Sequence, residues 1–139
     1  MRTIDKIIIH CAATKPSMDI GVAEIRKWHT SPPNNWKDIG YHYVIRRNGS
    51  IENGRPVIMA GVHTKGHNAK SIGICLVGGI DDKGNAASNF TDKQWATLER
   101  LVRILKVDYP KATVHGHREF AAKACPSFNV QDWLRDRKI

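Results

Sequence analysis

No stretch of this sequence approaches the run of roughly 20 apolar residues that a membrane-spanning helix requires, so insertion into a bilayer is not expected. A secretory leader is not expected either. Met1 to Lys6 run straight into Ile7, Ile8, Ile9, His10 and Cys11, too short and too polar-flanked for a signal core. The chain is therefore expected to accumulate in the cytoplasm as synthesised. Repeats, low-complexity tracts and composition shifts that would mark a linker are also absent, which argues against solenoids and separate modules. Cysteines number only three, Cys11, Cys75 and Cys125. An odd, scattered set makes a disulfide framework a poor reading and gives weight to metal or catalytic use. Aromatic residues are 7% of the chain against 41% for all hydrophobic types, the profile of a globular enzyme or binding domain and not of a fibrous or disordered chain. The His-Glu-x-x-His signature of many zinc proteases is missing, and so are zinc-finger and RNA-binding signatures.

What is present fits one domain over residues 1–139, a length that buries roughly two-thirds of the unfolded surface around a single core. Acidic side chains are the minority, 13 against 22 basic ones, for a net charge of +9. Such a surface speeds encounters with polyanions, whether nucleic acid, anionic lipid or bacterial wall polymer, and selects none of them. The basic residues are spread along the chain, as Arg26, Lys27, Arg46, Arg47, Lys65, Lys70, Arg100, Arg103, Lys106 and Arg135. Nucleic acid is therefore not an expected partner.

Lys6 to Cys11 reads as a buried β-run, and Tyr41 to Arg46 as a second strand that turns at Arg47, Asn48, Gly49 and Ser50 to return through Ile51 as a hairpin. Ile72 to Val77, closed by Gly78 and Gly79, is a third core strand. Between the first two lies a helix with Val22, Ile25, Trp28 and His29 on one face, then a loop through Ser31, Pro32, Pro33, Asn34 and Asn35. Thr91 with Gln94 forms a capping box for a helix bearing Trp95, Leu98, Leu101, Val102, Leu105 and Tyr109, which Pro110 stops. A short strand through Thr113, Val114 and His115 follows, and Asn129 caps a last helix with Trp133 and Leu134. This mixture implies an α/β domain with a central mixed sheet flanked by helices.

His10 ends a continuous apolar strand, where a sheet hands side chains to its rim. His117 and Cys125 stand either side of a loop from Arg118 to Ala124 that folds both toward one point. One distant ligand plus two close ones is the pattern of a catalytic zinc centre whose fourth position is left to water; a structural zinc takes four protein ligands. Spacing leaves His115 as an equal alternative to His117, because two residues apart in an extended segment share a face. Cys125 with a histidine also fits a nucleophile and base, although no nucleophile signature surrounds it and Pro126 stands where a helix would have to begin. Cys11 and Cys75 lie inside apolar runs and read as buried filler. His29 reads as a satisfied core residue, and strand alternation turns His42 away from whatever Tyr41 faces.

Several separated motifs carry a resemblance. His10, Cys11, Ala12, Ala13, Thr14, Lys15, Pro16, Ser17, then Gly40, Tyr41, His42, then Asn68 with Ser71, Ile72, Gly73, and finally Lys123, Ala124, Cys125, Pro126, Ser127 are similar to the zinc-dependent N-acetylmuramoyl-L-alanine amidases. Within that family they most resemble the phage amidase-type lysozymes, and the animal peptidoglycan-recognition proteins are related. The match spans nearly the whole chain in order.

The resemblance implies that fold, one zinc ion held by His10, His117 and Cys125, and hydrolysis of the amide between the lactyl group of N-acetylmuramic acid and L-alanine. It alone prefers His117 over His115, since His117 precedes Arg118 and Glu119 and stands at the matching distance from Lys123. It implies catalytic roles for Tyr41 and Lys123, with Tyr41 orienting water or the oxyanion because a phenol of pKa ~10 is a poor base at neutral pH. His63 resembles a family histidine beside the substrate, and Asn68 would brace or line the same loop. Peptidoglycan or a soluble muropeptide is the implied partner, met after release if the chain is an endolysin, and the chain is expected to act as a monomer. Two rival functions are a peptidoglycan-binding module without catalysis and an RNA polymerase-binding regulator. The first would lack a zinc ligand. The second belongs in the family to a longer N-terminal arm, whereas nine residues precede His10 here, so it is not carried over.

Overall fold

A computed structural model describes residues 2–139. The strands are β1 (Lys6–Cys11), β2 (Tyr43–Ile45), β3 (Ile51–Asn53), β4 (Ser71–Leu76) and β5 (Thr113–Gly116), and the α-helices are α1 (Val22–Thr30), α2 (Asp92–Asp108) and α3 (Val130–Arg137). One sheet takes all five strands in the order β3-β2-β4-β1-β5. β1 runs parallel to both β4 and β5, β2 runs parallel to β4, and only the β2–β3 hairpin is antiparallel. The expected mixed sheet is therefore present. No helix among the described residues is long and apolar enough to cross a membrane.

β1 and β4 are buried along nearly their whole length because helices cover both faces of the sheet. Ile7, Ile9 and Cys11 point into a core with Ile72, Ile74 and Leu76, roofed by Leu98, Leu101, Val102 and Leu105 of α2 and by Val130 and Trp133 of α3. On the other face Val44, Cys75 and Val77 meet Val22 and Ile25 of α1, and Tyr41 packs against that group. Alternation along β1 thus sends His10, next to Ile9, to the α1 face. Trp28 departs from the expected apolar face of α1: it is 43% exposed.

α2 begins as its capping box requires, with Thr91 Oγ1 accepting from the Gln94 N–H at 3.1 Å and the Gln94 side chain accepting from the Thr91 N–H at 3.0 Å. Gly49, at φ 86°, makes the hairpin turn that returns the chain into β3. The second strand is shorter than the sequence pattern suggests. Tyr41 and His42 lie before β2, where their carbonyls accept from the Arg55 and Gly54 N–H groups. Strand alternation does not govern those two residues. At the other end of the molecule β5 stops at Gly116, and the chain tightens into a one-turn 3-10 helix, His117–Glu119.

Candidate metal centre and active site

Contacts differ between the two histidines that spacing leaves equal. Gly116 is still extended, at φ −93° and ψ 150°, and the 3-10 turn begins at His117. His115 has both ring nitrogens engaged away from His10, Nε2 2.7 Å from Thr113 Oγ1 and Nδ1 2.8 Å from Glu119 Oε1. His117 lies with its ring centroid 4.6 Å from that of His10. One donor atom from each of His10, His117 and Cys125 falls within 4.8 Å of the others. Bond lengths of about 2.0 Å to nitrogen and 2.3 Å to sulfur set tetrahedral ligand edges of roughly 3.3 to 3.6 Å, so small side-chain rotations suffice to close the group around a zinc ion.

The electrostatics suit a cation. Burial, with smaller contributions from the charges of His63, His117 and Lys123, holds His10 well below the ordinary histidine range. Burial and then Lys123 lower His117 as well. Both imidazoles are neutral near pH 7 and each keeps a lone pair. Cys125 Sγ accepts the Cys11 backbone N–H at 3.2 Å. The hydrogen bond to Cys125 brings the Cys11 thiol down to about 7, while that contact, together with burial, pushes Cys125 up. Cys11 is buried in the core as its strand suggests, and it meets Cys125 Sγ through its backbone N–H. Cys75 does behave as a buried thiol, held up by desolvation.

Tyr41 stands between His10 and His29, ring centroids 5.1 and 5.5 Å away. Its phenol is pushed well above the usual range, first by desolvation and then by the Cys75, Cys125 and Cys11 thiols. His29 is a satisfied residue as expected: its Nδ1 accepts the Gly40 N–H at 2.9 Å. Lys123 is exposed and, with His63, His117 and Asn68, lines a cavity of about 520 Å³ walled by Trp36 and Phe120.

His63 reaches His10, with Nδ1 2.9 Å from His10 Nε2. Asn68 braces the loop, its Oδ1 accepting from the backbone N–H groups of His63 at 2.9 Å and Thr64 at 2.8 Å. His42 contradicts the alternation argument. Lying outside β2, it faces the same side as Tyr41, with its ring 5.8 Å from His63 and its Nδ1 accepting the Gly73 N–H at 3.0 Å. Thr64, Trp36 and Phe120 carry no motif that would have marked them; Trp36 and Phe120 are aromatic residues in loops, and only the structure puts them at the cavity.

The sequence profile described as N-acetylmuramoyl-L-alanine amidase matches residues 1–128. The chain belongs to this family. It is an amidase, 50% identical over 135 residues to the endolysin of Escherichia phage T7, a match that covers 97% of this chain and 88% of the relative. The endolysin of Enterobacteria phage K11 is 48% identical over 134 residues, covering 96% of this chain and 87% of the relative. Among solved structures, the amidase LysC from Clostridium intestinale URNW superposes with a TM-score of 0.84 at 25% identity, covering 99% of this chain and 87% of that one. Bumblebee PGRP-SA superposes with a TM-score of 0.79 at 26% identity, over 97% of this chain and 82% of that one. The amidase therefore shares its fold with both phage enzymes and peptidoglycan-recognition proteins.

Proposed function

We propose that this amidase acts as an endolysin that holds one zinc ion on His10, His117 and Cys125 and cleaves the amide between N-acetylmuramic acid and L-alanine in peptidoglycan. The observation that carries the reading is the meeting of two neutral imidazoles and a thiol within 4.8 Å of one another, one of them, His117, lining the cavity that Lys123 also lines. When bound, zinc supplies Lewis acidity for the scissile carbonyl and makes water a usable nucleophile near neutral pH. The chain's own groups handle the charge that develops. Addition of water to the carbonyl carbon places negative charge on its oxygen, and the Lys123 ammonium stands close enough to His10 and His117 to lower both. A fixed donor at that place lowers the barrier by about 3 to 4 kcal/mol. Tyr41, kept protonated by its buried setting, donates a hydrogen bond and does not act as base. When the C–N bond breaks, the nitrogen of L-alanine leaves with the proton given up by the attacking water, whose oxygen stays on the carbonyl carbon as part of the new carboxylate. The wall beside His63 and Asn68 is where the substrate would lie against the cavity.

The decisive experiment is a zymogram on bacterial wall combined with elemental analysis. Clearing should stop in chelator and return with zinc, with about one zinc per chain in the purified protein. Clearing that persists in chelator would sink the metal reading while leaving the family unchanged.

A further inference from the structure

On the zinc reading, the imidazole of His10 is held by a socket built around His63. His63 is clamped from every side. Asn68 Oδ1 holds its backbone N–H, Ser71 Oγ lies 3.2 Å from its Nε2, and two glycines press on its ring. A Cβ on Gly73 would stand 2.7 to 2.9 Å from three ring atoms of His63, and one on Gly61 would stand 2.8 Å from its Cδ2. Gly73 is itself fixed by a reciprocal pair with His42, whose backbone N–H donates to the Gly73 carbonyl at 3.0 Å while its ring Nδ1 accepts the Gly73 N–H at 3.0 Å. The socket aims His63 Nδ1 at His10 Nε2, 2.9 Å away, and Thr64 Oγ1 closes the triangle at 3.0 and 3.3 Å.

Counting protons gives the contact a direction. A neutral imidazole has one N–H and one lone pair. If His10 spent its lone pair on His63, none would remain for a cation. If instead His10 Nε2–H donates to His63 Nδ1, the lone pair sits on Nδ1, and His63 Nε2–H donates to Ser71 Oγ, so every group in the chain is matched. We infer that His63 is a positioning residue: it holds His10 by its Nε2–H, fixes the tautomer, and commits Nδ1 of His10 to the metal. This rests on the zinc reading, and it gives His63 work that substrate contact does not require. Partners of this kind on a metal-binding histidine typically change metal affinity 10- to 100-fold.

The test is the zinc dissociation constant of the full chain, measured by competition with a chromophoric chelator, for wild type, His63→Ala, His63→Asn and Ser71→Ala. His63→Ala should raise the constant about 10- to 100-fold. His63→Asn, which keeps an acceptor near the Nδ1 position, should recover most of the loss, and Ser71→Ala should weaken binding less than His63→Ala. Nitrogen-15 spectra of the zinc-loaded wild type should show His10 protonated at Nε2 and metal-bound at Nδ1. Equal zinc affinity in His63→Ala and wild type, or His10 bound through Nε2, would overturn the inference while zinc binding itself stood. A wild type with no zinc affinity would sink the metal reading and this role together. If His63→Ala fails to fold, Ser71→Ala and the nitrogen spectrum still decide.

Discussion

At the residue scale, Cys125 and Lys123 stand two positions apart and their replacements should fail differently. Cys125→Ala removes a donor from the three-atom cluster, so zinc content and wall lysis should both vanish. Lys123 is an exposed side chain at the cavity, and Lys123→Ala should keep its zinc while turnover falls about 10²- to 10³-fold, the size seen when an oxyanion donor is lost. Metal loss in both variants would collapse that distinction. His115 provides the control. Engaged by Thr113 and Glu119, it can be replaced by alanine with zinc stoichiometry unchanged, whereas a zinc-free His115→Ala would reopen the choice between it and His117. Two histidines two positions apart thus have different surroundings, His115 held by Thr113 and Glu119 and His117 beside His10.

At the scale of elements, the sequence was most readable where apolar runs were long. β1 follows its expected bounds, and α2 starts on its capping box and ends before Pro110. Short or irregular pieces were not readable. The 3-10 turn at His117–Glu119 has no periodicity to detect, and the residues before β2 pair through their backbones without forming a strand, which is why the side of His42 was misjudged. His10 and Cys125 could be picked out from the sequence because they stand at the ends of recognisable segments; the socket around His63 could not, because it is made by glycines whose use is in what they leave out. Gln94 shows the same limit. The motif explains its bond to the Thr91 N–H, yet its buried Nε2 also donates to the carbonyls of Ile45 and Val77, and its Oε1 accepts from Arg47. One side chain joins α2 to the ends of β2 and β4. Gln94→Leu removes all three bonds, leaving Ile45 O only the Val77 N–H, Val77 O only the Arg47 guanidinium, and that guanidinium Val77 O and Asn89 O, and should lower unfolding free energy by about 3 kcal/mol, read as a reduced urea midpoint with an unchanged slope. A midpoint within experimental error of wild type would show that the motif was the whole of its role.

For the whole molecule, acid should loosen the metal-free protein before its carboxylates titrate. Burial holds the His42 imidazole down to about 4, opposed by its bond to the Met59 carbonyl and helped by the charges of Arg2 and Arg55. The unfolded chain takes up that proton near pH 6.5, so stability from this group is complete above that pH and drains as pH falls toward 4. The loss is on the order of 3 kcal/mol. Urea midpoints of the apo protein measured from pH 7 to 4 should therefore decline, and a flat profile would exclude a neutral buried His42. Zinc should act in the opposite sense. At a free concentration a thousandfold above its dissociation constant, a ligand bound only by the native state adds about 4 kcal/mol, so the melting temperature should climb with zinc in wild type and stay put in Cys125→Ala. That linkage has a temporal side. Cys125 meets Cys11 across 114 positions of chain, and β1 must already lie beside β5 before His10 and His117 can share an ion. A chain still emerging from the ribosome holds a single one of the three donors for most of its synthesis. On the proposed zinc site, the ion would be a clasp that only the finished fold can fasten, and wall-cutting capacity would be withheld until the last quarter of the molecule has docked.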